Sequence, residues 1–213
     1  IFPIYDENFS QVSFLNLFEE NSYKDKVFSD SNIYEIDKNN NKLISRDLTA
    51  SDSAVLDIEA PSSLIGIDLD MDAIVNPILI DENGVITAYN SDLHILSGFP
   101  LHNKVSGIAL AKDIVGTDSP EIIVKSQDSS KLYIYDNKGH LLLSYSMSKN
   151  DDLVFIHSMN QKNYIFTKYS IFEFDKQDSN NGNSWTTVNG SLTNSRKVEI
   201  PYTSTLNSND LII

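Results

Sequence analysis

The stretch KLYIYDNKGHLLLSY, Lys131 to Tyr145, decides the architecture. Its first half alternates as a strand does, and it breaks at Asp136. An Asp at the start of a turn accepts a backbone hydrogen bond, and Gly139 offers the positive φ of a bulged hairpin exit. A second apolar strand follows and ends at Ser144. The segment therefore predicts a hairpin.

The chain repeats the statement. Residues 31–45 read SNIYEIDKNNNKLIS, residues 84–97 GVITAYNSDLHILS, and residues 170–176 SIFEFDK. Each alternating strand ends in Asp or Asn: Asp37, Asn90, Asp136 and Asp175. Asn40 takes the Gly139 position in the first copy. The second copy is one residue shorter and has no glycine, so its turn is expected to differ. The likeness extends upstream. Asp25, Asn76 and Glu121 each precede a short apolar strand. Before those come Phe14–Leu17, Leu64–Asp68 and Ile108–Asp113.

Each unit thus reads strand, acidic loop, strand, short turn, strand, hairpin, strand. The four anchors lie 53, 46 and 39 residues apart (37 to 90, 90 to 136, 136 to 175). Such periods with four strands per unit indicate an all-β β-propeller of about four four-stranded antiparallel blades. A blade is apolar on both faces and needs a neighbour to cover each one. The expected blades are residues 1–45, 46–101, 102–147 and 148–200, with 201–213 a linker or the start of a following segment. The set is either a small closed ring or, as favoured here, an incomplete part of a larger propeller. A β-sandwich with chance similarity among its hairpins is the alternative.

Composition narrows the function. Sixteen Lys and Arg against thirty Asp and Glu give a net charge of −14. That surface repels phosphate backbones and anionic lipids, so neither nucleic-acid binding nor membrane insertion is expected. No run approaches the ~18 apolar residues of a membrane helix. There is no cysteine, hence no disulfide, thiolate zinc site or cysteine nucleophile. The chain begins at Ile1 without an initiator Met, so it is expected to be a segment of a longer or processed chain.

Residues 119–124 read SPEIIV, 131–136 KLYIYD, and 96–101 LSGFPL. Together they resemble the FG-GAP/VCBS class of propeller repeats, found in integrin α-subunits and many exported bacterial proteins, over roughly residues 12–200. The resemblance implies an extracellular or cell-surface location and is specific for fold more than for activity. Trp185, in Asn183-Ser184-Trp185, resembles the closing segment of some exported propellers.

One loop has ligand chemistry. Asp68, Asp70 and Asp72 alternate within five residues, and Asn76 follows. Alternating carboxylates in a tight loop can converge on a hard cation, and Ca²⁺ takes six to eight oxygens. The resemblance implies ligands at positions one, three, five and nine, which these four residues occupy. Ala73 stands where the family has glycine. The alternative is a solvated acidic turn held by Asx hydrogen bonds. The corresponding segment Asp113–Glu121 keeps carboxylates only at the first and ninth positions, and Asn16–Asp25 is poorer.

Nothing comparable points to catalysis. His94, His102, His140 and His157 are not paired at metal-ligand spacing. No Gly-x-Ser-x-Gly elbow, phosphate loop or dinucleotide fingerprint occurs. The expected function is a non-catalytic binding or scaffold module for a protein or glycan, with one structural Ca²⁺ and an ion-free acidic turn both open for the loop. Two other readings stay open: part of a propeller-type polysaccharide lyase, hydrolase or quinone-dependent dehydrogenase centred on other blades, and a spacer beside a protease domain. The sequons at Asn8 and Asn189 would matter only in a eukaryotic secretory host.

Overall fold

The computed structural model describes residues 26–29, 31–48, 52–175 and 184–186. All regular structure there is β. The first sheet is the antiparallel meander β1 (Lys26–Phe28), β2 (Asn32–Asp37), β3 (Lys42–Asp47) and β4 (Ser53–Asp57). The second contains β5 (Pro61–Ile67), β6 (Asn76–Asp81) and β7 (Ile86–Ala88), and a Tyr89–Ile95 bridge stands in place of a fourth strand. The third contains β8 (Val105–Lys112), β9 (Glu121–Ser126), β10 (Lys131–Tyr135) and β11 (Leu141–Ser146). The fourth contains β12 (Leu153–Met159), β13 (Lys162–Thr167) and β14 (Ile171–Asp175). The expected break after residue 45 falls inside β3, because β4 pairs with β3 and not with β5. The proposed strand at Phe14–Leu17, the Asn16–Asp25 loop, both sequons and residues 201–213 lie outside the described residues.

Burial explains the repetition. Ile122 and Val124 of β9 join a core shared with the first two sheets. Ile123 between them points the other way, into a core with Leu153, Ile156 and Ile165 of the fourth sheet. The inner strands of the third sheet are thus covered on both faces, as a blade requires, while β11 is largely exposed. On the first and fourth sheets strict alternation reports one well-covered face: β2 buries Asn32, Tyr34 and Ile36, and β13 buries Asn163, Ile165 and Thr167. β5 lies beside β8, and β8 beside β12, so the first strands of these three blades gather together.

β15 (Ser184–Trp185) adds to the free edge of β8, and the Thr186 carbonyl accepts the Ile156 N–H of β12 at 2.9 Å. This short segment stitches the third sheet to the fourth. Trp185 is fully buried in the larger core.

The hairpins follow the sequence reading in one place and correct it in two. Gly139 has φ +75, and the β10–β11 register shifts by one residue beside the turn, as a bulged exit requires. In the first sheet the positive φ falls on Asn41 (51), not on Asn40. Asp37 accepts from the Asn39 and Asn40 N–H groups and from the Asn40 side chain, which moves the left-handed residue one place along.

The expectation that the second turn differs is also overturned. Asn90 accepts from the Asp92 and His94 N–H groups as Asp136 does from Lys138 and His140. Leu93 donates its N–H to the Asn90 carbonyl as Gly139 does to Asp136. Leu93 holds φ 63 at the glycine position, and its side chain is only 5% exposed. Burying a leucine is worth roughly 1.5–3 kcal/mol, which offsets the roughly 1–2 kcal/mol penalty of the left-handed backbone. The one-residue deletion falls after His94, outside the turn.

The shortening of the last interval has an equally local cause. Eight residues separate β8 from β9, whereas β12 and β13 are joined by Asn160–Gln161 alone, with φ 51 and 59. Two consecutive left-handed residues make the tight hairpin turn that matches strand twist. The acidic loop is simply missing from the fourth blade.

Candidate functional site

The loop between β5 and β6 starts and ends on buried polar side chains. Asp68 is 3% exposed and Asn76 1%. The Asn76 Oδ1 accepts the N–H of Leu69 at 2.6 Å and of Asp70 at 3.4 Å. Asp68 accepts from Asp72 N–H on Oδ1 and from Ala73 N–H on Oδ2, both at 3.1 Å. Asp72 Oδ1 accepts from Ile74 N–H at 2.8 Å. These bonds curl the loop so that one carboxylate oxygen from each of Asp68, Asp70 and Asp72 lies within 4.8 Å of the others.

Like charges so close raise the cost of ionisation. Burial first, and then the charges of Asp72 and Asp70, push Asp68 from 3.8 to about 6. Burial and Asp72 push Asp70 upward as well. A divalent cation would reverse both effects, and three convergent carboxylates are a donor set a hard cation accepts. Of the four residues singled out in the sequence, the structure brings three together. Asn76 orders the backbone between them, and its amide oxygen already serves two N–H groups. Ala73 and Met71 sit at φ 69 and 63, so the loop holds left-handed turns at its fourth and sixth positions without a glycine.

The segment Asp113–Glu121 has the same backbone. Gly116 and Asp118 hold φ 77 and 62 at the places of Met71 and Ala73. Glu121 Oε2 accepts Ile114 N–H at 2.7 Å and Val115 N–H at 3.4 Å, repeating Asn76. Thr117 donates to Glu121 Oε1 at 2.6 Å, and Asp113 Oδ1 accepts from Gly116 N–H at 2.8 Å. Burial, with the Asp113 charge, raises Glu121. Here Asp113 and Glu121 are buried, Val115 and Thr117 stand in the places of Asp70 and Asp72, and Asp118 is the one exposed carboxylate.

A second feature lies beside the first loop and was not legible in the sequence. Tyr34, fully buried on β2, donates its hydroxyl to the Val75 carbonyl at 2.6 Å and ties the first sheet to the loop. Next to this tie a cleft of about 460 Å³ opens between the two sheets. Asp47, Asp52 and Asp92 line it, together with Ala73 and Ile74 of the loop. These carboxylates come from β3, the β3–β4 link and the second hairpin, and no motif joins them. Of the histidines, His140 is exposed with Nδ1 2.9 Å from Asp136 Oδ2, and its place is in the hairpin.

No protein-family model matches the chain, and no curated protein matches it. Among solved structures it is similar to BBS1N, crystallised in complex with ARL6DN, at 15% identity and TM-score 0.51, over 70% of this chain and 47% of BBS1N. BamB from Moraxella catarrhalis matches at 13% identity and TM-score 0.47, over 70% of this chain and 47% of BamB. The computationally designed Ika4 protein matches at 12% identity and TM-score 0.49, over 72% of this chain and 91% of Ika4. The chain spans less than half the length of BBS1N and of BamB. The repeated antiparallel sheets and the likeness to the BBS1N propeller define the class: the chain has an all-β propeller fold. Among the described residues, no helix is long and apolar enough to cross a membrane.

Proposed function

We propose that this chain is a non-catalytic protein-binding module of an exported protein, built from FG-GAP/VCBS-like blades, with Ca²⁺ held by Asp68, Asp70 and Asp72. The observation that carries the reading is the convergence of those three carboxylates in a loop whose backbone is fixed by its own hydrogen bonds. The ion would neutralise the three charges and brace the join between β5 and β6. It stabilises the blade and takes part in no reaction. A protein partner is supported by BBS1N, a propeller seen in complex with ARL6DN. The exported location rests on the family resemblance of residues 96–136.

Thermal unfolding with excess Ca²⁺ and with chelator tests the metal. A ligand that binds only the native state adds about 2.7 kcal/mol at a hundred-fold excess over its Kd. The melting temperature should rise with Ca²⁺, and Asp70→Ala should remove the rise. An unchanged wild-type melt would reduce the loop to a hydrogen-bonded turn.

A further inference from the structure

We propose that two copies of this chain associate head to tail, the outer face of the first sheet of each packing on the outer face of the fourth sheet of the other. The inference goes beyond the binding-module reading and does not depend on the metal loop. Each sheet leans on the next through its first strand, β1 on β5, β5 on β8 and β8 on β12, so the first and fourth sheets stand at the ends of the series. Neither end is finished as a solvent face. On the first sheet Phe28, Ile33, Ile44 and Val55 alternate with the buried core residues and point away from them, and Val55 is 54% exposed. On the fourth, Phe155, Phe166 and Ile171 stand side by side across three strands, on the face opposite Ile156 and Ile165. The Phe155 and Phe166 rings stack at 4.4 Å, and Ile171 is 62% exposed. A sheet with apolar residues on both faces is built to have a neighbour on each.

Charge and area make a second copy the fitting neighbour. A net charge of −14 opposes self-association over most of this surface. The two end faces escape that excess. The first sets Lys26, Lys42 and Arg46 against Glu35, Asp37 and Asp57. Glu35 is paired with Lys26 at 3.1 Å and with Arg46 at 3.7 Å. On the fourth sheet Lys162 pairs with Glu173 and, at 3.9 Å, with Asp175. A slightly anionic face therefore meets a balanced one that carries an exposed Arg46, and like charge does not oppose the contact. Three strands of about six residues, ~4.8 Å apart and rising ~3.3 Å per residue, present roughly 300 Å². A two-fold axis brings both pairs of faces together at once. The dimer then buries roughly 1,200 Å² over both partners, the lower end of what a stable specific interface needs. A single pair of faces would fall short of it.

The test is sedimentation velocity of the full chain from about 5 to 100 µM, at about 0.15 M salt in chelator, so that the metal loop plays no part. The 23.9 kDa chain should move toward a species of twice that mass as concentration rises. Val55→Glu on the first sheet and Ile171→Lys on the fourth change exposed positions, where substitution seldom harms the fold. Each should weaken association about ten-fold or more, and Glu82→Gln, on an exposed turn elsewhere, less than about two-fold. Arg46→Glu serves for the first face should Val55→Glu lose its circular dichroism spectrum. An equimolar mixture of the Val55 and Ile171 variants should associate more tightly than either alone, because each mixed dimer keeps one wild-type pair of faces. A single 23.9 kDa species at every concentration would overturn the proposal and leave the calcium melting result intact. Dimers indifferent to both variants would place the interface elsewhere and overturn it too. Loss with only one variant, or a mixture no tighter than its components, would mean that one face pairs with itself and would overturn the head-to-tail arrangement.

Discussion

The second and third blades carry the same loop with a different placement of charge. In both, the ninth residue accepts the second and third N–H groups at nearly equal distances, 2.6 and 3.4 Å from Asn76, 2.7 and 3.4 Å from Glu121. In both, the fourth and sixth residues are left-handed. The second loop then places two carboxylates, Asp70 and Asp72, on its rim, whereas the third places one there, Asp118, and buries Glu121 against backbone donors and Thr117. The loop shape therefore comes from an acceptor at position nine and two left-handed residues, and it does not need the rim carboxylates. The rim varies between the two, and in the second blade Asp70 and Asp72 on it bring carboxylate oxygens within 4.8 Å of each other and of Asp68.

The blades also differ at their hairpins, and the largest expected effect lies there. A Cβ on Gly139 would sit 2.4 Å from the Gly98 carbonyl oxygen of the preceding blade, at φ +75. Gly139→Val should cost about 3 kcal/mol from overpacking and backbone strain together. Leu93 shows that φ alone is survivable at this position. A wild-type melting temperature for Gly139→Val would mean that the two blades do not meet through these glycines.

Removing the common acceptor should be the next most damaging change. Asn76→Leu and Glu121→Leu each strand two N–H groups, and each should lower stability by about 2 kcal/mol in urea unfolding. If only one does, the loops are not equivalent. Among milder variants, Glu121→Gln retains an acceptor and should lose much less.

Acidity separates the two loops further. Asp68 titrates higher in the native state than its ordinary 3.8, so the native state holds the proton more tightly. Its contribution to stability is complete below pH 3.8 and disappears as pH rises through about 6. Glu121, also raised, acts in the same direction. In chelator, melting temperature should drift downward over this interval through both groups. Saturating Ca²⁺ should cancel the Asp68 part, which Asp68→Asn also removes. It should leave the Glu121 part, which Glu121→Gln removes. Melting curves at pH 4 to 7 with each variant check the assignment.

The smallest effect concerns the left-handed residues. Met71 is exposed at φ 63 where the third blade has Gly116. Met71→Gly should stabilise by about 0.5 kcal/mol, and Gly116→Met should cost about 1 kcal/mol. Chemical denaturation resolves both.

The sequence by itself determined the repeat, the strand alternation, the Gly139 turn and the clustering of Asp68, Asp70 and Asp72. These are local: strand period, turn chemistry and loop closure act over fewer than ten residues. It misplaced the left-handed residue at Asn40 and expected a different turn in the second copy, because such a residue is chosen by the whole hydrogen-bond pattern of a turn and because a buried leucine can offset strain that an isolated turn would refuse. Only the tertiary structure decided that β4 completes the first sheet, that Trp185 joins β8 while Thr186 reaches β12, and that Asp47, Asp52 and Asp92 share one cleft. Those placements depend on which apolar faces meet when the sheets stack, and burial is set by neighbours far away in the chain.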